Sequence, residues 1–156
     1  MSTDLKYLAF TAVLTASLWI PYIICQVTTN GLLTAQNYLD PAPRPVPLWG
    51  KRADRAYMNA VETFAPFAAL VIAVHLAGKA NAMTAFWAMA YFWLRLAHAI
   101  VYLLGLPFLR TLIFTLGYVA VLGIFWAVFV TASIKCWDGV SKAGSSFRGA
   151  NGRKLR

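Results

Sequence analysis

Charge is the scarcest property of this sequence, and acidic side chains are the rarest of all. Only 12% of the 156 residues are charged, with 14 Lys and Arg against 5 Asp and Glu. An average soluble domain is about one-quarter charged, so a water-soluble globule of this length would lack the charge to cover its surface. The composition therefore excludes an ordinary cytosolic enzyme, a disordered chain and a fibrous repeat.

Cysteine and histidine are also too few for the common metal centres. The chain has two of each, and no Cys/His pair has the spacing of a zinc site. The glycines form no phosphate-binding loop. We expect no metal and no nucleic-acid partner, because basic residues in so apolar a chain match anionic lipid better than nucleic acid.

Apolar residues make up 60% of the chain, and its mean hydropathy is +0.63. Stretches long enough to cross about 30 Å of hydrocarbon as helices occur four times. We therefore predict an all-α integral membrane protein, an antiparallel bundle of four transmembrane helices. The predicted spans cover residues 5–28, 53–77, 81–104 and 108–134, within a single domain at 1–135 that is followed by a basic flexible tail at 136–156.

Four antiparallel spans would place both termini and the turn at Lys79 on one face of the membrane, called side A here. The Pro-rich connection between the first two spans and the turn at Gly105–Pro107 would lie on the opposite face, side B. More Lys and Arg fall on side A, so the positive-inside rule favours side A in the cytoplasm.

Polar residues in the second and third spans recur at intervals of three and four, which places each set on one face of a helix. Lipid cannot solvate such a stripe, so each should face the bundle interior or a neighbouring subunit. The second span carries Arg52, Arg55, Asn59, Glu62 and Pro66, and the third carries Tyr91, Arg95, His98 and Tyr102.

Glu62 and Arg95 should lie at the same depth in antiparallel helices, and we predict that they form an ion pair. Together with Arg52, Arg55 and Arg110, they give the side-B end an excess of cations. Unpaired guanidinium near lipid is costly, so an anionic partner is implied: a carboxylate ligand, a thiolate or a lipid phosphate. The alternative is a purely structural pair that fixes helix register.

Two motifs resemble the MAPEG family, the membrane-associated proteins of eicosanoid and glutathione metabolism. The first is Arg52-Ala-Asp-Arg55-Ala-Tyr-Met-Asn59-Ala-Val-Glu62-Thr-Phe-Ala-Pro66-Phe67, and the second is Arg95-Leu-Ala-His98-Ala-Ile-Val-Tyr102 followed by Pro107 and Arg110. The resemblance implies a homotrimer of four-helix subunits. It also implies glutathione bound between subunits and lipophilic substrates that are conjugated, isomerised or reduced.

The resemblance also implies residue roles. Arg110 matches the arginine that activates the glutathione thiol, and is the candidate catalytic residue. Asn59, Glu62, His98 and Tyr102 match ligand positions, and Arg55 and Arg95 would support Glu62. Arginines such as Arg52 suit the carboxylates of glutathione.

Three departures keep other functions open. Met58 stands where enzymatic members usually have arginine, Phe114 stands where they have tyrosine, and an arginine of the first span is absent near Thr28. The chain is more similar to the bacterial-type branch, which suggests a bacterial inner membrane. Three functions thus remain open: a transferase or peroxidase, a non-enzymatic scaffold or accessory subunit, and a lipid-binding protein.

The resemblance also bears on the orientation in the membrane. In eukaryotic members the site opens to the cytosol, which would place side B inside, whereas the count of Lys and Arg places side A inside.

Overall fold

The computed structural model describes residues 1–31 and 45–127, and every regular element within them is a helix. We number the helices in chain order: α1 (Thr3–Ser17), α2 (Ile20–Asn30), α3 (Leu48–Leu76), α4 (Ala82–Leu104) and α5 (Pro107–Ala127). With α1 and α2 taken as one span, four helical stretches are long and apolar enough to cross a membrane. The chain is thus a multi-pass integral membrane protein with four helical spans, as the sequence predicts.

The first span is two helices rather than one, because α1 ends at Ser17 and α2 begins at Ile20. Pro21 explains the break: it has no N–H for the Ser17 carbonyl, and its ring would clash with that carbonyl. The hydroxyl of Ser17 donates to the Val13 carbonyl at 2.8 Å, within its own helix. The predicted single helix over 5–28 is therefore interrupted at residues 18–19.

Helix α3 begins at Leu48, directly after Pro47, more than a turn earlier than predicted. Its first half buries a row of small residues, Ala53, Ala56 and Ala60. Small side chains allow close approach between membrane helices, where lipid supplies no hydrophobic drive for association. Close packing is visible at Gly50, where an added Cβ would collide with the Cys25 thiol of α2.

Pro66 lies inside α3 without ending it. Because proline lacks an N–H, the local ladder of helix hydrogen bonds is interrupted there. The phenol of Tyr91 on α4 donates to the nearby Thr63 carbonyl at 2.8 Å, so a neighbouring helix supplies a donor beside the interruption. The Tyr91 ring also stacks on Phe67, with centroids 3.9 Å apart. This pair fixes α3 against α4 near the middle of the bundle.

The core lies where α3, α4 and α5 meet. It is built from buried apolar residues, and Leu5, Tyr7 and Leu8 of α1 pack against it. Its buried members are Phe67, Val71, Val74, Ala88, Tyr91, Ala120, Val121 and Ile124.

Helices α3 and α4 are joined by a short turn in which Gly78 takes a positive φ of 62°. The side chain of Asn81 then begins α4: it accepts hydrogen bonds from the N–H groups of Met83 at 2.8 Å and Thr84 at 3.0 Å. The Thr84 hydroxyl lies 2.9 Å from the Asn81 N–H, which donates to it. This reciprocal capping box satisfies three N–H groups that would otherwise lack partners at the helix start.

Replacing Asn81 by Ala should lower the free energy of unfolding by about 0.5–2 kcal/mol, because the N–H groups of Met83 and Thr84 lose their acceptor. Thermal unfolding in detergent would measure the change, and Asn81→Ser, which retains an acceptor, should recover most of it. Equal loss in both variants would show that capping is not what Asn81 contributes.

The helices run antiparallel, which fixes the two sides. A cavity of about 240 Å³ brings Ser2 and Asp4, at the start of α1, next to Ala82 at the start of α4. At the other end, an added Cβ on Gly105 after α4 would collide with the Arg52 guanidinium at the start of α3. Side A therefore holds the starts of α1 and α4, and side B holds the start of α3 and the end of α4.

Two predicted segments fall outside the description. The Pro-rich connection is described only from Pro45 onward, where Pro47 precedes α3. The predicted tail at 136–156, and the part of the fourth span beyond Ala127, lie outside the described residues.

Candidate functional site

Two adjoining cavities open at the side-B end, where α3, α4 and α5 converge. Both are lined by Tyr102 and Arg110. The larger, about 240 Å³, is also lined by Asn59, His98, Thr111 and Phe114. The smaller, about 200 Å³, is also lined by Arg52, Gly105, Leu106 and Pro107.

The Arg110 guanidinium and the Tyr102 ring contribute to the walls of both cavities. The Arg110 Cζ atom lies 4.8 Å from the centroid of the Tyr102 ring, at cation–π distance. The His98 ring meets Tyr102 edge-on, with centroids 5.6 Å apart. The Tyr102 ring thus holds a positive charge at the wall of both cavities, and the His98 ring packs against Tyr102.

Arg52 reaches the site from the start of α3. Its guanidinium fills the space that a side chain on Gly105 would need. Gly105 itself has a φ of 77°, a left-handed conformation that ends α4 and that residues with a Cβ adopt at a cost. The guanidinium therefore lies beside the carbonyl end of α4, where the helix dipole favours a cation.

Arg95 is buried in the bundle and lines neither cavity. It is 4% exposed, and its Cζ lies 5.0 Å from the Tyr91 ring centroid and 5.3 Å from that of Phe114. Gly117 of α5 makes room for it, since an added Cβ there would lie 3.3 Å from Nη2. Within the described chain its Nε and Nη1 have no hydrogen-bond partner, so two aromatic rings, rather than a carboxylate, surround this cation.

The predicted ion pair between Glu62 and Arg95 is wrong for a single chain. Glu62 is exposed, whereas Arg95 is enclosed. The buried face of α3 passes through Ala60 and Phe67. At about 100° per residue, Glu62 is roughly 200° around the helix from Ala60. The two residues match in depth, but Glu62 points away from the bundle.

The structure brings together five of the sequence-predicted site residues. Asn59, His98, Tyr102 and Arg110 line the larger cavity or both, and Arg52 lines the smaller one. The other three, Arg55, Glu62 and Arg95, line neither cavity. Arg55 is exposed on α3, and its backbone carbonyl accepts a hydrogen bond from Asn59 Nδ2 at 3.1 Å.

Thr111 and Phe114 line the larger cavity, although the sequence did not mark them as site residues. Thr111 is adjacent to Arg110, and its hydroxyl donates to the Pro107 carbonyl at 3.2 Å. Phe114 is one turn beyond Arg110 and therefore shares its helix face. That i, i+4 spacing was one available signal, and the family resemblance had already placed Phe114 where enzymatic members have tyrosine.

Among residues 1–31 and 45–127, no three His, Cys, Asp or Glu side chains gather where they could hold a metal ion. Cys25 is free and fully buried against α3. The chemistry of the side-B cavities therefore comes from cations, an amide, an imidazole, a phenol and a hydroxyl.

Comparison with known proteins gives one result. The family model of the MAPEG family matches residues 7–130, which is most of the chain. Searches of curated proteins and of solved structures found no match. The matched range includes α2 to α5, α1 beyond its first turn, both motifs and the side-B cavities. By this match the chain belongs to the MAPEG family.

Proposed function

We propose that the protein binds glutathione or a related small thiol at the side-B cavities and uses it to conjugate or reduce lipophilic electrophiles. The observation that carries the proposal is the Arg110 guanidinium, held by the Tyr102 ring at the wall shared by both cavities. The family match supports a glutathione-related role, since the family includes glutathione transferases.

The donor set suits such a ligand. Glutathione has two carboxylates, an ammonium and a thiol. Arg52 and Arg110 carry the positive charge that carboxylates and a thiolate require, and the Asn59 amide oxygen can accept from an ammonium. Because Arg52 and Arg110 line the same smaller cavity, one ligand can contact both.

When bound, the thiol would supply the nucleophile. Arg110 is proposed to favour its ionised form, because a nearby cation lowers the pKa of a thiol. Attack on an electrophilic carbon would form a C–S bond and expel the leaving group, while the thiol proton passes to solvent. A lipophilic electrophile would reach this end from the surrounding membrane.

A single chain supplies only part of the site. Each side-B cavity is smaller than the roughly 300 Å³ at which ligand pockets begin. Arg55 and Glu62 lie on the outer face of α3, in a helix that spans the membrane, where charged groups usually face a protein neighbour. We therefore propose a homotrimer in which the outer face of α3 meets a neighbouring subunit and completes the cavities. A bacterial inner membrane is the proposed location.

The trimer can be tested by measuring the protein mass in detergent with light scattering. We expect three times the 17.2 kDa of one chain, and we expect Glu62→Leu to weaken the assembly and glutathione binding together. Asp54→Leu, a change of a partly buried carboxylate on the same helix, controls for loss of charge. A Glu62→Leu variant that is monomeric and still binds glutathione as tightly as the wild type would contradict a site shared between subunits.

Direct binding can be tested by calorimetry with purified protein and glutathione. Measurable heat is expected with glutathione. Absence of heat with the wild-type protein, at concentrations where it is assembled, would reject thiol binding.

A non-enzymatic scaffold or accessory subunit is the second candidate, and one observation favours it. Phe114 stands on the wall of the larger cavity, where its ring covers Arg95 and offers no hydroxyl to a ligand. Thr28 is likewise occupied, because its hydroxyl donates to the Ile24 carbonyl of its own helix at 2.8 Å. A scaffold would gain no thermal stability from any thiol, which distinguishes it from the proposed enzyme. Co-purified lipid without bound thiol at side B would instead favour a lipid-binding protein.

A further inference from the structure

An apolar cavity, larger than those at side B, lies at the opposite end of the bundle. It is a groove of about 590 Å³ between the start of α4 and the end of α5. Its walls are almost entirely apolar, with Met83 and Trp87 on one side and Val119, Leu122 and Trp126 on the other. None of these residues lines the Arg110 cavities, so the groove is separate from the proposed thiol site.

The floor of the groove is created by Gly123. The Trp87 indole of α4 lies so close to the α5 backbone that a Cβ on Gly123 would collide with its ring. The indole therefore packs directly against the α5 backbone at the base of the groove. Its depth is thus set by a packing contact inside the bundle.

The length of the groove matches one leaflet of a bilayer. Its α5 wall runs from Val119 to Ala127, nine residues whose first and last are about 12 Å apart at 1.5 Å per residue. Half of a hydrocarbon core of about 30 Å is about 15 Å. The groove therefore extends from the side-A surface nearly to the bilayer midplane.

The wall residues are exposed on the outer surface of the single chain. Within the single chain Met83 is 57% exposed, Val119 44%, Leu122 46% and Trp126 69%. A polar group that contacted them at this depth would lose its hydration, so the walls favour contact with an apolar chain. An extended acyl chain has the shape and the chemistry of the groove.

The mouth of the groove adds a positive charge. Asn81 lines it and also begins α4, and its side chain donates to the Lys79 carbonyl at 3.3 Å. Lys79 is therefore close to the mouth, in the turn between α3 and α4, and it is partly exposed. Because this turn joins two helices long enough to span a membrane, it would lie at the level of the lipid headgroups. A lysine near the membrane surface favours an anionic headgroup.

From these observations we propose that the groove binds one acyl chain of an anionic phospholipid of the side-A leaflet, with Lys79 contacting its phosphate. This site is independent of glutathione binding and would be present in an enzyme or a scaffold.

The test is native mass spectrometry of detergent-purified protein offered equal amounts of phosphatidylglycerol and phosphatidylcholine with identical acyl chains. The wild type should retain one lipid per chain, predominantly phosphatidylglycerol. Val119→Phe and Met83→Trp fill the groove from its two walls, and each should reduce retained lipid at least tenfold. Leu116→Phe is the matched control, since Leu116 is equally exposed on α5 but outside the groove.

Lys79→Gln tests the headgroup contact separately from the acyl-chain contact. This variant should retain one lipid but lose the preference for phosphatidylglycerol. Helix content by circular dichroism verifies that each variant is folded. Equal lipid loss in Leu116→Phe and Val119→Phe would reduce the lipid to ordinary annular contact and overturn the proposal. A wild type that retains no lipid would also overturn it, and a lower mass of the assembled protein in Val119→Phe would then assign the groove to a contact with a second copy of the chain. Preference for phosphatidylglycerol in Lys79→Gln would remove Lys79 from the site.

Discussion

Replacement of Arg110 by Ala should abolish the glutathione heat and lower any conjugation rate by about 10²- to 10³-fold, the loss typical of removing one preorganised charge-stabilising group. The side chain carries the positive charge shared by both side-B cavities, and Tyr102 holds it in place. Without that charge, a thiol there would keep its ordinary, mostly protonated state at neutral pH. Calorimetry and a spectrophotometric assay with a lipophilic aromatic electrophile would measure the two losses.

Two further variants make this result specific. Arg110→Lys keeps the charge but loses the planar group that stacks on Tyr102, so partial activity is expected. Lys6→Ala removes an exposed cation on side A and should leave binding unchanged. Full activity in Arg110→Ala would assign thiol activation to another residue, whereas equal loss in Lys6→Ala would point to a general effect of net charge.

Replacement of Phe67 by Ala should lower the free energy of unfolding by about 3–5 kcal/mol, the range for removing a large buried ring. Phe67 is fully buried, and its ring stacks on Tyr91, whose phenol bonds to the Thr63 carbonyl beside Pro66. Loss of the ring would leave a cavity at the point where α3 and α4 are joined. The change in unfolding temperature in detergent would measure the effect.

Phe108→Ala is the matched control, because Phe108 is the same residue type and is 89% exposed. Its effect on unfolding should be small. A comparable loss for Phe108 would mean that this ring is covered in the assembled protein. A negligible loss for Phe67 would show that the core of the single chain does not determine the stability of the assembly.

The four spans could be predicted from the sequence because hydrocarbon thickness requires long apolar helices. The turn before α4 was also predictable, since Asn81 follows Gly78 and Lys79 where the apolar pattern stops. The interruption of the first span had a signal in Pro21. Hydropathy did not reveal it, because an interrupted span and a continuous one have the same mean hydropathy.

Rotation of α3 was the harder part of the prediction. Periodicity showed that Asn59 and Glu62 lie toward one side of a helix, but it could not show which side faces the core. In water, the polar face would simply be the outer one, whereas in a membrane both the protein interior and the lipid-facing side are apolar. The buried face of α3 is marked instead by small residues such as Ala56 and Ala60. With α3 rotated in this way, Asn59 and Arg52 line the side-B cavities, whereas Glu62 lies on the outer face of the helix.

The contact between Gly123 and Trp87 has a consequence for how this sequence can change over time. A side chain at position 123 and an indole at position 87 cannot occupy the same space, so Gly123 cannot become larger while Trp87 is retained. Among homologous chains, a residue larger than glycine at the position of Gly123 should be accompanied by a smaller residue at the position of Trp87. Such paired substitution would appear as covariation between α4 and α5, and it would indicate that homologous chains retain the shape of the side-A groove.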